Sequence, residues 1–217
     1  MLIFKNIAMK TTRIKFLLLG FFISLTFTGC SPENDIEIPN STDYKLYEQF
    51  FSNTTDGDEI NLSGWTNFAQ VGTVKWKQGI YYSDKYAEFT SYQSGQPSNI
   101  GWLVSPPISV NKENVETLAF DVAQAYVSSS ANSIEVLVST DFDGTNVMAA
   151  NWVNKTFTTP SLAYEDRFKF FSSGLINLAD ADYEGNIYIA FKCKGSGTNF
   201  SLDGTYEVDN IRIFNKK

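Results

Sequence analysis

The feature that most constrains this chain is the strict alternation of apolar residues in its middle third. Two rows of apolar side chains recur at every second position: Leu118, Phe120 and Val122, then Ile134, Val136 and Val138. Residues two apart lie on the same face of a strand, so each row predicts a strand with one apolar face. Two such strands side by side form one wall of a core.

The same alternation continues from residue 44 to the end of the chain. Short apolar segments are separated by turn residues, among them Asp143-Gly144, Glu184-Gly185 and Asp203-Gly204. No amphipathic pattern persists for more than a couple of helical turns. About ten short strands in one domain predict an all-β fold, a jelly-roll β-sandwich of two antiparallel sheets over residues 44–217.

Residues 1–29 have the pattern of a signal peptide rather than of a folded segment. A basic start, beginning at Met1 or at Met9, precedes an apolar run over residues 16–27, which is shorter than the ~20 residues that a membrane-spanning helix needs. The run ends in Thr28-Gly29-Cys30, which resembles the lipobox of bacterial lipoproteins. That resemblance implies cleavage before Cys30 and a lipid on Cys30 that attaches the protein to a membrane. The alternative is an ordinary signal peptide followed by a chance cysteine.

Residues 30–43 read as a flexible acidic tether between the lipid and the domain. An acidic, serine-bearing stretch after the lipidated cysteine resembles the surface-export signal of Bacteroidota lipoproteins. It implies an outer-membrane protein that is anchored by lipid and exposed at the cell surface. A plain spacer is the alternative.

Charge and composition exclude several classes of function. The chain has a net charge of −7, and removal of a signal peptide with four bases and no acids leaves 13 bases against 24 acids, a net charge of −11. Such a surface repels phosphate backbones, so nucleic acid is excluded as a partner. No histidine is present, which excludes a Ser/His/Asp triad and histidine-ligated zinc.

The acid pattern also argues against a glycoside hydrolase. Laminarinase-type sandwiches carry Glu-x-Asp-x-x-Glu on one strand, and here Glu207-Val-Asp209-Asn-Ile ends in Arg212. We therefore predict a protein that is not an enzyme. Cys193 lies on the apolar face of an alternating strand and is predicted to be a buried, unpaired thiol.

Several strand motifs resemble one known family. They are Trp102-Leu-Val-Ser-Pro-Pro-Ile-Ser-Val, Leu118-Ala-Phe-Asp, Val136-Leu-Val-Ser-Thr-Asp-Phe-Asp-Gly, Ile187-Tyr-Ile-Ala-Phe-Lys and Val208-Asp-Asn-Ile-Arg-Ile. Together they resemble the cleaved-adhesin, or choice-of-anchor J, domains of Bacteroidota surface proteins. The resemblance spans roughly residues 44–216 and implies a jelly roll, but it says little about a ligand because one fold hosts many functions.

Two acids are candidates for a structural calcium site. Glu48 shares a predicted face with Leu46, and Asp209 shares one with Ile211, so both carboxylates are expected to point inward on the first and last strands. A buried carboxylate requires a cation or several hydrogen-bond donors. Related adhesin and carbohydrate-binding jelly rolls hold a calcium ion between such acids, which by resemblance implies Ca²⁺ here. Capping of the carboxylates by backbone amides is the alternative.

The aromatic side chains suggest what the domain binds. We select Trp76, Tyr81, Tyr82 and Tyr126 as candidates for a platform on which sugar rings stack, although most aromatic residues of a sandwich belong to its core. The wider set of aromatic residues considered also includes Tyr92, Trp102 and Trp152. The leading hypothesis is a non-catalytic cell-surface module that binds a glycan or a protein. The alternative is a structural or adhesion subunit that acts through protein contacts in a surface complex.

Overall fold

The computed structural model describes residues 44–49, 51, 55–111, 116–178, 183 and 185–215, with side chains from residue 49 onward. The predicted signal peptide, Cys30 and the tether lie outside these residues. No helix within them is long and apolar enough to cross a membrane.

The described residues form strands and one 3₁₀ turn, Tyr164–Asp166. In chain order the strands are β1 (Tyr44–Gln49), β2 (Thr66–Val71), β3 (Lys77–Tyr81), β4 (Asp84–Thr90), β5 (Asn99–Val104), β6 (Ile108–Val110), β7 (Glu116–Ala125), β8 (Ser133–Ser139), β9 (Val153–Lys155), β10 (Phe171–Ser172), β11 (Ile176–Asn177), β12 (Gly185–Gly195) and β13 (Thr205–Asn215).

The strands form two antiparallel sheets, as predicted. The seven-stranded sheet has the order β10-β7-β13-β4-β3, with β1 paired to β13 and β11 paired to β7. The six-stranded sheet has the order β2-β5-β12-β8-β9, with β6 paired to β12. The first and last strands of the domain are neighbours, which ties its two ends together.

The core lies between the inner faces of the two sheets. Phe120 of β7 and Phe191 of β12 meet edge to face across it, with ring centroids 5.1 Å apart. The two rows predicted from the sequence are all buried in this core. Cys193 is also fully buried there as a free thiol, which confirms its predicted place.

A second apolar cluster covers the outer face of the six-stranded sheet. Trp102 and Trp152 pack there with Phe142 from the loop after β8, and their ring centroids lie 5.5 to 5.7 Å apart. Beneath this loop Trp102 is only 4% exposed. The groove described below lies on the outer face of the other, seven-stranded sheet.

A long connection, residues 156–170, joins β9 of one sheet to β10 of the other, and we call it the strap. The side-chain amide of Gln124 donates a hydrogen bond to the carbonyl of Ser161 at 2.6 Å, and the backbone N–H of Phe168 donates to the carbonyl of Gln124 at 2.9 Å. These bonds fix the strap against the end of β7. From there it reaches β4, where the rings of Phe170 and Tyr86 are 5.6 Å apart.

A β-bulge in β13 overturns the predicted orientation of Asp209. Val208 and Ile211 are both in the core although they are three residues apart, because the pairing of β13 with β7 shifts between Asp209 and Arg212. The extra residue is Asn210, which has φ of +50°. Asp209 therefore lies on the outer face with Glu207, not on the inner face with Ile211.

Candidate functional site

A groove runs over the outer face of the seven-stranded sheet, between β3, β4 and β13 below and the strap above. It consists of two adjoining cavities, which share Arg167 and Phe168 in their walls. The larger has a volume of about 710 Å³ and is lined by residues that include Tyr92, Tyr126 and Phe200. The other has a volume of about 540 Å³ and is lined by Tyr81, Asp84, Tyr86, Arg167, Phe168, Phe170 and Glu207. We call the whole the aromatic groove.

The exposed aromatic side chains of the described residues gather at this groove. Five of them line it: Tyr81, Tyr92, Tyr126, Phe168 and Phe200. The remaining two touch a groove residue, since Tyr82 packs on Tyr81 with ring centroids 4.7 Å apart and Tyr164 lies against Arg167. Exposed apolar surface that is gathered in one place marks a site of interaction, whereas scattered residues need no explanation.

The floor of the groove holds a buried carboxyl group. Glu207 of β13 is 2% exposed and lies directly opposite Glu88 of β4. Burial, followed by the nearby charge of Glu88, raises the pKa of Glu207 to about 8, while a hydrogen bond with Tyr86 acts in the opposite direction. Burial also raises the pKa of Glu88, which Asp56 raises further and Lys77 lowers. Glu207 is therefore mostly protonated and neutral near pH 7.

The Tyr86 ring fits the groove because β3 carries a glycine beside it. A Cβ atom on Gly79 would lie 2.1 Å from the Tyr86 ring, which no real side chain allows. Gly79 and Tyr86 are directly opposite each other in the β3–β4 pair. The glycine thus lets the ring lie flat on the sheet, where it shields Glu207 from water.

In the middle of the groove, one cationic side chain packs against a group of aromatic rings. The guanidinium of Arg167 lies 4.3 Å from the ring centroids of both Tyr126 and Tyr164. Tyr126 also meets Phe168 edge to face at 5.9 Å. Tyr126 and Phe168 have φ of +61° and +60°, a conformation that is costly for aromatic residues and that clusters at functional sites.

The four aromatic candidates from the sequence have different places. Tyr81 lines the smaller cavity and Tyr126 the larger, and their side chains are 66% and 54% exposed. Tyr82 is 89% exposed and occupies the turn between β3 and β4, with φ of +54°. Because it follows the strand, it need not point away from Tyr81 as two neighbours in one strand must.

Trp76 is not part of the groove, so its assignment to a sugar platform is wrong. It is completely buried in the core, where its ring lies 5.7 Å from that of Phe89 and 6.4 Å from that of Phe191. A tryptophan just before a short strand can face either side of the sheet. Here the inner side removes far more apolar surface from water.

The two predicted calcium ligands lie on paired strands, β1 and β13. Glu48 lies opposite Arg212 in the β1–β13 pair, and its side chain is outside the described residues. Asp209 lies opposite Asp121 on the outer face, and burial raises its pKa to about 6. Asp121 accepts a hydrogen bond from the Asn210 amide at 2.7 Å. Among the described residues no group of three or more acids or cysteines is placed to hold a metal, so calcium remains a prediction.

Several groove residues carried no signal in the sequence. Tyr86 and Glu207 sit on strands whose alternation assigns them only to a polar face, and Arg167 and Phe168 sit in a connection between two predicted strands. The sequence could not reveal these residues because they meet only through long-range contacts. The strap places residues 167–170 over strands that lie some 80 positions earlier in the chain. The one available signal was the density of aromatic residues in segments 81–92 and 164–171.

Comparison with known proteins places the chain in a family. The family model described as a domain of unknown function, DUF5017, matches residues 107–216, just over half of the chain. The chain belongs to the DUF5017 family. The matched part of this DUF5017 protein includes the strap, Tyr126 and Glu207, whereas Tyr81 and Tyr86 precede it. No curated protein matches the chain.

The DUF5017 chain is also similar to solved β-structures at low identity. One is the K3 cleaved-adhesin domain of Lys-gingipain from Porphyromonas gingivalis, with 19% identity, a TM-score of 0.47, and coverage of 78% of this chain and 98% of that one. Another is the CBM22-1 xylan-binding domain of Xyn10C from Paenibacillus barcinonensis, with 12% identity, a TM-score of 0.45, and coverage of 81% and 96%. A third is the family 11 carbohydrate-binding module of Lic26A-Cel5E from Clostridium thermocellum, with 11% identity, a TM-score of 0.42, and coverage of 79% and 96%.

Proposed function

We propose that this protein is a non-catalytic, lipid-anchored module of the cell surface that binds a glycan in the aromatic groove. The observation that carries the proposal is the gathering of exposed aromatic rings around one groove of the domain. Flat rings beside polar groups suit a sugar, which presents apolar C–H faces and hydroxyl edges.

The polar groups of the groove support a glycan as the ligand. Arg167 offers fixed N–H donors, because the two tyrosine rings hold its guanidinium in place. Glu88, Asp203 and Thr90 offer oxygen atoms along the wall of the larger cavity. A few such groups in a mostly apolar groove fix the orientation of a ligand and provide specificity.

Absence of catalysis is part of the proposal. Glu207 and Glu88 are neighbours in an aromatic groove, an arrangement that glycosidases also use. A retaining glycosidase, however, needs one ionised nucleophile and one protonated acid, each in contact with the substrate. Here Glu88 lines the larger cavity and Glu207 the smaller one, so the two carboxyl groups do not flank one bond of a bound sugar. We expect binding without turnover.

The lipid anchor at Cys30 and the outer-membrane surface location complete the proposal. They are supported by the Thr28-Gly29-Cys30 ending of the apolar run and by the acidic tether that follows it. A lipid on Cys30 and a tether of residues 30–43 would hold the groove near, but not against, the membrane.

The test is a glycan-array screen of the purified protein, followed by incubation of each bound polysaccharide with the protein and analysis for new reducing ends. We expect a narrow set of bound glycans and no cleavage. No binding to any glycan would contradict glycan recognition, and cleavage that is lost in Glu207→Gln would contradict the absence of catalysis.

A protein partner is the second candidate, and exposed apolar side chains of the strap and of the β12–β13 connection favour it. Leu162 and Tyr164 of the strap are 63% and 76% exposed, and Phe200 of the β12–β13 connection is 85% exposed. Apolar surface of this kind is what a protein partner covers when it is gathered in one place. Cross-linking on intact cells distinguishes the two candidates. A single cross-linked protein from the cell surface, together with a blank glycan array, would favour an adhesion subunit.

A further inference from the structure

One oxygen atom on the floor of the groove has no hydrogen-bond partner. Oε1 of Glu207 is buried and has no hydrogen-bond partner among the described residues. The Glu207 side chain is only 2% exposed, and it lines the smaller cavity. A buried carboxyl oxygen without a hydrogen-bond partner is costly, so such an atom in a cavity wall marks the place of a missing partner.

The surroundings of this oxygen favour a donor with positive charge. Asp84 lines the same cavity and Glu88 is the cross-strand neighbour of Glu207. Lys77 faces Glu88 from β3 and lowers its pKa, whereas no lysine or arginine lowers that of Glu207. Arg167, the cation that lines the cavity, stacks between Tyr126 and Tyr164. An ionised Glu207 would thus have two acidic neighbours and no cation that lowers its pKa.

The walls of the cavity also suit a cation. The rings of Tyr81, Tyr86, Phe168 and Phe170 surround the space beside Glu207. Aromatic rings attract an ammonium group through their negative faces, and the attraction is strongest where water is excluded. A carboxylate on the floor and rings on the walls form the combination that binds an organic ammonium.

Resting on the proposed glycan-binding function, we propose that the smaller cavity recognises an amino sugar with a free ammonium group, which pairs with Glu207. The ammonium supplies the donor that Oε1 lacks, and the sugar ring stacks on Tyr81 at the open edge of the cavity. An N-acetylated sugar offers the same ring without the charge, so its amide N–H donates a weaker hydrogen bond to the carboxylate than an ammonium group does.

Binding of this kind must release a proton. Glu207 is mostly protonated near pH 7 in the free protein, because burial and the charge of Glu88 raise its pKa to about 8. An ammonium ion stabilises the carboxylate, so the proton leaves for the solvent when the ligand binds. The charged or titratable groups that line the cavity with Glu207 are Tyr81 on β3, Asp84 and Tyr86 on β4, and Arg167 on the strap. Glu88 on β4 lies opposite Glu207, and the charges of Lys77 and Asp56 act on Glu88.

The experiment is calorimetric titration at pH 7 with matched tetrasaccharides of glucosamine and of galactosamine, each with and without N-acetyl groups. We expect the free amines to bind about tenfold to a hundredfold more tightly than their N-acetylated forms. The measured heat should depend on the ionisation enthalpy of the buffer, which reports the released proton. In Glu207→Gln the ratio between amine and N-acetyl affinities should fall to about one, and in the exposed control Glu165→Gln it should not change.

The outcomes separate this inference from the proposed function. Equal or tighter binding of the N-acetylated sugars, or no binding of either form, would overturn the amino-sugar inference. Glycan recognition itself would survive if the array shows another bound glycan. Binding of a lysine-containing peptide in preference to both amino sugars would also overturn the inference, in favour of a protein ligand.

Discussion

At the scale of single residues, the most informative group is Glu207. It makes the stability of the protein depend on pH, because burial raises its pKa from about 4.5 to about 8. Between these two values the folded protein holds a proton that the unfolded chain has lost, so the free energy of unfolding falls as pH rises. Asp209, with its pKa raised to about 6, acts in the same direction.

We therefore expect denaturant unfolding of the wild type to show lower stability at pH 9 than at pH 5. Glu207→Gln removes the largest of these contributions and should flatten the profile between about pH 4.5 and 8, and Glu165→Gln should leave it unchanged. If the stability of the Glu207→Gln variant fell with pH as steeply as that of the wild type, Glu207 would not be the group responsible.

Trp76 shows that the same residue type can belong to a core or to a binding surface. Because it is fully buried against Phe89 and Phe191, Trp76→Ala should lower the free energy of unfolding by about 3–5 kcal/mol. Tyr82→Ala should change it by no more than about 0.5 kcal/mol, since Tyr82 is 89% exposed. If urea unfolding showed equal losses of stability in the two variants, Trp76 would not be a core residue.

At the scale of elements, the bulge in β13 decides which acids face the groove. Asn210 supplies the extra residue at φ of +50°, a conformation that asparagine and glycine tolerate and β-branched residues do not. Asn210→Val should destabilise the protein by about 1–3 kcal/mol, and Asn210→Gly should destabilise it less. A valine variant as stable as the glycine variant would mean that this backbone conformation is not required.

The calcium hypothesis concerns the two terminal strands of the domain, β1 and β13. If Glu48 and Asp209 hold a calcium ion between β1 and β13, melting in calcium should exceed melting in EDTA by on the order of 5–10 °C, and Asp209→Asn should abolish the difference. The buried, unpartnered Oδ1 of Asp209 is an oxygen that such an ion could use. Equal melting temperatures in metal-free EDTA and in calcium would reject the site.

Period-two patterns predicted the sheets but not the orientation of every strand. The rows through Phe120 and Val136 predicted core strands correctly, because an unbroken strand keeps one face inward. The same rule failed for Asp209, since one inserted residue exchanges the faces of all the residues that follow it in the strand.

Only some of the groove residues could be predicted from the sequence. Tyr81 and Tyr126 belong to local clusters of aromatic and polar residues that the sequence shows directly. Arg167 and Glu207 become neighbours only through the strap and the order of strands in the sheet.

At the scale of the whole molecule, we propose that a lipid at one end of the chain holds the module at a membrane. Lipidation at Cys30 predicts that mass spectrometry of the membrane-extracted protein will find an acylated N-terminal cysteine. In Cys30→Ser the protein should lose its anchor and leave the membrane fraction. An unmodified N-terminus at another residue of the wild type would contradict the lipid anchor.

The central claim is that the aromatic groove binds a glycan, and it is tested most directly by titrating the best glycan from the array against three proteins. Tyr126→Ala should weaken binding about thirtyfold, a cost of roughly 2 kcal/mol for an anchoring tyrosine. Met148→Ala, an equally exposed position on the loop after β8, should bind like the wild type. Loss of affinity in Met148→Ala, or unchanged affinity in Tyr126→Ala, would place the glycan elsewhere and contradict the account.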